Sequence, residues 1–199
     1  MPKRIILLTG ELEAPHLSGM LQKHNPDLAL DVVQDAETLS TASAHDMVGC
    51  RLIAFLTSVI VPAGVLAKLE GPAYNFHPGP PEFPGSYTAG FAIYDGATTF
   101  GVTLHEMAAS VDSGPIVEVR RFPIAEKCKF QDLEVEAFRH VLQMFADYAP
   151  HMASDDAPLP SGVEPWTGRV RTCLEAERLK QIEADLTEEE IVRRYRAFG

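Results

Sequence analysis

Four short apolar runs, spaced by helix-like segments, constrain this chain more than any other feature. Arg4–Thr9, Leu28–Val33, Leu52–Phe55 and Ala73–His77 each read as a strand. Pro15–Lys23 has weak helical spacing, and a polar segment that reads as helix lies between the second and third runs. Pro62 opens a short helix over Pro62–Leu69, at a position where a missing backbone N–H costs least. Strand–helix alternation predicts an α/β fold with a mostly parallel sheet covered by helices on both faces. Ligands of such sheets bind beyond the carboxyl ends of the strands. Chemistry is therefore to be sought at the end of the fourth run, at Asn75 and His77.

The loop that follows, H-P-G-P-P-E-F-P-G-S-Y-T-A-G, is too rich in proline and glycine to form a strand or helix through most of its length. Helix resumes over Ala89–Tyr94. Phe100–Met107 and Ile116–Ile124 read as two strands joined by A-A-S-V-D-S-G. Phe130–Tyr148 has the best helical pattern, with Phe130, Leu133, Ala137, Phe138, Val141, Leu142 and Phe145 on one face. The division expected is a domain over 1–150, a linker over 151–165 and a helical tail over 166–199 that is no independent domain. In the tail, Thr187 and Glu190 have the spacing of a capping box, and Ile191, Tyr195 and Phe198 line one face. Trp166 and that stripe need covering, either by the chain's own core or by a second copy in a homodimer.

The charge balance, 17 Lys+Arg against 28 Asp+Glu, gives −11 and disfavours nucleic acid as a partner. Arg193, Arg194 and Arg196 are the only concentrated positive charge. Cys50, Cys128 and Cys173 are far apart with no C-x-x-C pair, which points to a reducing cytoplasm rather than to disulfides or zinc. The first apolar run falls short of a signal-peptide core of roughly 7–15 residues and of a membrane span of about 20. A soluble, cytoplasmic chain without a membrane segment is the expectation.

Several chemistries lack their motif. There is no G-x-x-x-x-G-K-[ST], and T-G-E-L-E-A after the first strand places two acids where a phosphate cradle wants backbone amides. G-S-Y-T-A-G does not meet the nucleophile-elbow pattern and reads as a turn. The histidines show no metal-ligand spacing. What remains is a trio. Asn75 and His77, two apart on a strand, share one face while Tyr74 and Phe76 point to the other. An amide and an imidazole there can donate to one developing oxyanion. Asp112 lies in the A-S-V-D-S-G-P loop, where Gly114 and Pro115 allow a tight return. Close to His77, its carboxylate would raise the imidazole's pKa and could take a proton from a nucleophile. Each residue alone also has an ordinary structural reading, as a strand end or a turn former.

N-F-H-P-G followed by G-V-T-L-H-E-M-A-A-S-V-D-S-G-P-I-V resembles the 10-formyltetrahydrofolate-dependent formyltransferases, most strongly from about Ser58 to Ile124. That family includes glycinamide ribonucleotide formyltransferase, methionyl-tRNA formyltransferase and the amino-sugar N-formyltransferases. The ending E-E-I-V-R-R-Y-R-A-F resembles the segment that closes the catalytic domain in the tRNA and sugar branches. The resemblance implies a Rossmann-like formyltransferase fold and a catalytic set of Asn75, His77 and Asp112. Asn75 and His77 would polarise the formyl carbonyl, and Asp112 would position His77 and assist proton removal from the attacking amine. It further implies that Ser58, Val59, Ile60 and Val61, with Met107, Ala108, Ala109 and Val111 opposite, hold the pterin of the folate. His105 is read as a strand residue supporting the Asp112 loop.

The sequence also departs from that pattern. Many relatives follow N-x-H-P with S-L-L-P and a basic Y-R-G, where this chain has G-P-P-E-F-P-G-S-Y-T, losing an Arg and gaining Glu82. The glycine-rich phosphate loop of the glycinamide ribonucleotide branch is missing, and 199 residues leave no room for the further domain of the tRNA branch. The acceptor expected is a small amine: a nucleotide-linked amino sugar, a hydroxylamine or amino acid of natural-product assembly, or another primary amine. The alternatives are a formyltetrahydrofolate deformylase, disfavoured because Met1 runs almost directly into the first strand, and a folate-binding protein without catalysis.

Overall fold

The computed structural model describes residues 1–199. Its single six-stranded sheet has the order β2-β1-β3-β4-β5-β6. Strands β1 (Arg4–Leu8), β2 (Ala29–Val33), β3 (Cys50–Phe55) and β4 (Tyr74–His77) run parallel. Strands β5 (Thr99–Glu106) and β6 (Ile116–Pro123) add to the β4 edge antiparallel. Helices α1 (Ala14–His24), α2 (Ala36–Ser43) and α3 (Ala63–Leu66) connect the parallel strands, and α4 (Thr88–Tyr94) precedes β5. The chain closes with α5 (Phe130–Ser154), α6 (Cys173–Lys180) and α7 (Glu188–Phe198).

Both faces of the parallel half are covered, which is why β1 and β3 read as continuous apolar runs. Ile5, Leu7, Ile53, Phe55, Tyr74 and Phe76 face Leu17 and Leu21 of α1 and Val141, Met144 and Phe145 of α5. Ile6, Leu8, Leu52 and Ala54 face the other way, onto Leu39 and Ala42 of α2 and Val65 of α3. The ring of Phe145 packs against Phe76 at 5.0 Å and Phe55 at 5.6 Å between centroids. This packing fixes the carboxyl ends of β3 and β4 side by side.

Three local expectations need correction. Helix α5 continues six residues past Tyr148 and contains Pro150. Met152 and Ala153 are buried, and the side chain of Arg51 donates to the carbonyls of Met152 (2.8 Å) and His151 (3.3 Å). Burial and these hydrogen bonds outweigh the one lost at the proline. Pro62 is the extended N-cap of α3 rather than its first helical residue, and α3 ends at Leu66. At α7, Thr187 accepts the Glu190 N–H, but the Glu190 carboxylate turns to Tyr94 and Arg194, so the reciprocal half of a capping box is absent.

The tail docks on the chain's own core. Phe198 packs against Phe91 and Tyr94 of α4, while Tyr195 of the anticipated stripe is exposed. Helix α6, which the reading above did not anticipate, carries a full capping box between Thr172 and Glu175, a signal present in T-C-L-E. No helix is long and apolar enough to cross a membrane.

Candidate active site

The alternation of β4 sends Tyr74 and Phe76 into the core and leaves Asn75 and His77 on the opposite face. Because β5 pairs antiparallel with β4, His105 stands directly across from Asn75, and Thr103 across from His77. The 107–115 connection then folds back over this face and delivers Asp112. Asp112 adopts a left-handed backbone conformation (φ 42°), which aspartate tolerates better than most residues. Gly114 makes the return possible: a Cβ there would lie 2.0 Å from the Glu106 carbonyl oxygen.

Asp112 is the hub. Its Oδ2 accepts the Gly85 N–H at 2.7 Å and lies 3.5 Å from His77 Nδ1, while its Oδ1 lies 3.3 Å from His105 Nε2. The Asn75 amide nitrogen is 3.0 Å from the same His105 Nε2. His105 Nδ1 lies 2.8 Å from the Glu106 carbonyl oxygen, which can only accept, so the Nδ1 proton is fixed. Neutral His105 thus accepts from Asn75, whereas protonated His105 donates to Asp112. On His77, Nε2 faces the Phe83 carbonyl at 3.3 Å. Both contacts of that ring are long, so its one proton is not committed to either.

Burial pushes the His77 imidazole below its ordinary value of 6.5, against the opposing pull of the Asp112 carboxylate, and His105 adds to the lowering. The sequence reading anticipated a raised value. It weighed the carboxylate but not the desolvation of a side chain only 5% exposed. For Asp112, burial acts upward but is outweighed by His77, by His105 and by the Gly85 N–H, and the carboxyl sits at about 2. At neutral pH the pair is therefore a neutral imidazole beside an ionised carboxylate.

A cleft opens in front of these groups. All eight residues anticipated for the pterin line it, Ser58, Val59, Ile60 and Val61 on one wall and Met107, Ala108, Ala109 and Val111 on the other. Val59, Val61 and Met107 are half-buried against the core, whereas Ile60 is 62% exposed at the rim. Ala54, Thr57, Gly85, Ser86 and Ser110 complete the lining. Two short apolar walls with the Asn75–His77 pair between them suit a flat, hydrogen-bonding ring with its reactive end at the pair.

Sequence reasoning missed Trp166. Its indole N–H donates to the Gly114 carbonyl at 2.8 Å, and its ring meets His105 and His77 edge-on at 5.0 and 5.8 Å. The tail segment so holds the Asp112 loop and backs both imidazoles. Nothing in the local sequence marks a contact spanning fifty residues. Glu82 does not enter the cleft; it pairs with Arg121, which also binds Glu164.

The family model described as formyl transferase matches residues 35–141, more than half of the chain. A methionyl-tRNA formyltransferase of Listeria welshimeri is 27% identical over 104 residues, 50% of this chain and 33% of that protein. The match thus spans about a third of the curated relative's length. A sugar N-formyltransferase from a Shewanella species superposes with a TM-score of 0.80 at 16% identity, over 99% of this chain and 88% of that one. An N-formyltransferase from Helicobacter canadensis, solved with folinic acid and dTDP-3-aminofucose, gives 0.74 at 16% identity over 100% and 81%. Both structures share the fold.

Proposed function

The chain belongs to the formyl transferase family, and from that premise we propose that it moves the formyl group of 10-formyltetrahydrofolate to the primary amine of a small acceptor, an amino sugar or another small amine. The observation that carries this reading is the convergence of Asn75, His77 and Asp112 at one end of a cleft whose walls are uncharged. The solved relatives bound to folinic acid, formylated folate or tetrahydrofolate support the same donor class.

The folate supplies a formyl carbon whose oxygen becomes negative when nitrogen attacks. In this reading the Asn75 amide and the His77 ring N–H donate to that oxygen. Asp112 orients His77 and, being ionised, stabilises positive charge on the attacking nitrogen. The amine proton leaves by this carboxylate or a water beside it, and the nitrogen released from the formyl carbon takes up one proton in exchange. No side chain forms a covalent bond. In this reading residues 1–150 are the catalytic domain, and 166–199 brace its Asp112 loop.

Calorimetric titration with folinic acid, alongside Asn75→Ala and His77→Ala, tests the proposal together with mass detection of formamide products from a panel of amines. Micromolar binding, about −8 kcal/mol, with formamide formed by the wild type and lost in both variants, is the expected result. No heat at millimolar folinic acid and no formamide would overturn it.

A further inference from the structure

On the far side of Asp112 lies a second cavity, of about 520 Å³. The Asp112 loop forms one wall, and Glu164, Trp166 and neighbouring tail residues form the other. The charged side chains that line it are both carboxylates, Asp112 and Glu164, and the adjoining cleft contributes no Lys or Arg. Glu164 is held below the usual carboxylate range chiefly by its hydrogen bond from Arg121, so both acids are ionised at neutral pH.

Three nearby guanidiniums are each paired with a carboxylate. Arg121 donates to Glu164 at 2.9 and 2.7 Å and to Glu82 at 2.9 Å, so one positive charge already faces two negative ones. Arg171 donates to Asp95 at 2.6 Å and lies over the ring of Phe91. Arg169, flanked by the lining residues Gly168 and Val170, is held by Glu175. A phosphate entering here would have to share one of these guanidiniums with its carboxylate and then sit beside two carboxylates in a partly desolvated space. An ammonium group meets the reverse situation. Asp112 attracts it, Glu164 and Glu82 together outweigh the one charge of Arg121, and the Ser110 hydroxyl and the Trp166 surface suit a hydroxylated carbon frame.

We propose that the amine acceptor enters through this cavity and carries no phosphate or diphosphate; its class is a free, polyhydroxylated amine, such as an amino sugar not linked to a nucleotide. The identity of the bond formed rests on the formyl-transfer reading above, whereas the charge preference rests on the cavity alone.

Two measurements on the full chain test it. In the first, UDP and dTDP are titrated calorimetrically, with uridine and thymidine as phosphate-free controls. No diphosphate-dependent heat up to about 1 mM is expected. A dissociation constant below about 100 µM for either diphosphate, absent for its nucleoside, would overturn the proposal. Glu164→Gln leaves Arg121 with one carboxylate fewer and should raise affinity for inorganic pyrophosphate about tenfold or more. An unchanged affinity would refute the charge account.

In the second, formyl transfer from 10-formyltetrahydrofolate is compared for D-glucosamine and UDP-glucosamine, which present the same amine. A preference of about tenfold or more in kcat/KM for the free sugar is expected; the opposite preference would refute it. Failure of the formyl-transfer reading has a different signature. Folinic acid would not bind and no amine would be formylated, while the UDP and dTDP titrations would still report on the cavity's charge.

Discussion

The two walls that meet at Asp112 are held by different physics. The wall of the cleft proposed for folate consists of short segments continuing from strand ends, Thr57–Val61 after β3 and Met107–Val111 after β5. Its position follows from the sheet, and its residues are uncharged. The wall on the other side is assembled from segments distant in sequence. Thr167 and Gly168 donate to the Pro81 carbonyl, Trp166 donates to Gly114, and Arg121 ties Glu82 to Glu164. The course of the first wall can be altered only by disturbing the sheet, although single rim side chains can be changed. The second can change its charge by exchanging a few ion pairs, which makes it the part suited to selecting an acceptor.

Asp112 belongs to both walls, so its loss should have the largest effect. Asp112→Asn keeps an acceptor for the Gly85 N–H but removes the charge beside His77. Formyl transfer should fall about 10²–10⁴-fold, with folinic acid affinity preserved in calorimetry. The pH dependence carries a definite sign. His77 is neutral at pH 7, and once protonated it pairs with the Asp112 carboxylate that would take the amine proton, so activity should fall as pH drops through its depressed pKa, below 6.5. Asp112, at about 2, stays ionised across that limb. Because the carboxylate pulls the His77 pKa upward against burial, the residual activity of Asp112→Asn should show its acid limb at still lower pH. A limb that moved upward would remove His77 as the titrating group.

The next largest effects should separate the walls. Gly85 has φ 99°, and a Cβ there would lie 2.1 Å from the Arg171 carbonyl oxygen. Gly85→Ala should cost about 2–3 kcal/mol, read as a fall of roughly 5–10 °C in Tm. It should also raise the KM for acceptor. Trp166→Phe keeps most of the packing against the histidines but removes the N–H donated to Gly114. A loss of roughly tenfold in kcat/KM for the amine is expected, with folinic acid affinity unchanged. An equal loss in folinic acid affinity would mean that the walls are one unit.

The same contrast explains what could be read in advance. Side-chain alternation along Y-N-F-H placed Asn75 and His77 together, and the D-S-G-P turn brought Asp112 within reach, because both are local properties of the chain. His105 is different: its place opposite Asn75 depends on the antiparallel register of β5, and Trp166 reaches Gly114 only through tertiary packing. The upward pull of Asp112 on His77 is legible in the motif, but the net downward direction is not, for a related reason. A neighbouring charge can be inferred from a motif, but the depth of burial belongs to the assembled fold. Likewise Pro150 reads as a helix stop until the buried Met152 and the Arg51 side chain beneath it are in place.

The smallest effect should come from the rim of the cleft proposed for folate. Ile60 is 62% exposed, so the unliganded protein gains little from it, and Ile60→Ala should leave stability within about 0.5 kcal/mol. A bound ring lying along this wall would cover the side chain. Fully burying an isoleucine is worth about 1.5–3 kcal/mol, and truncation to alanine at a partly covered rim should forfeit about 1 kcal/mol of that. Folinic acid affinity should therefore weaken roughly fivefold while Tm and the KM for the amine stay put. Glu82→Gln, on the opposite wall, should leave folinic acid affinity unchanged. If Ile60→Ala instead lowered Tm and left folinic acid binding intact, the side chain would be serving the fold and not the ligand, and the uncharged wall would lose its claim to the folate.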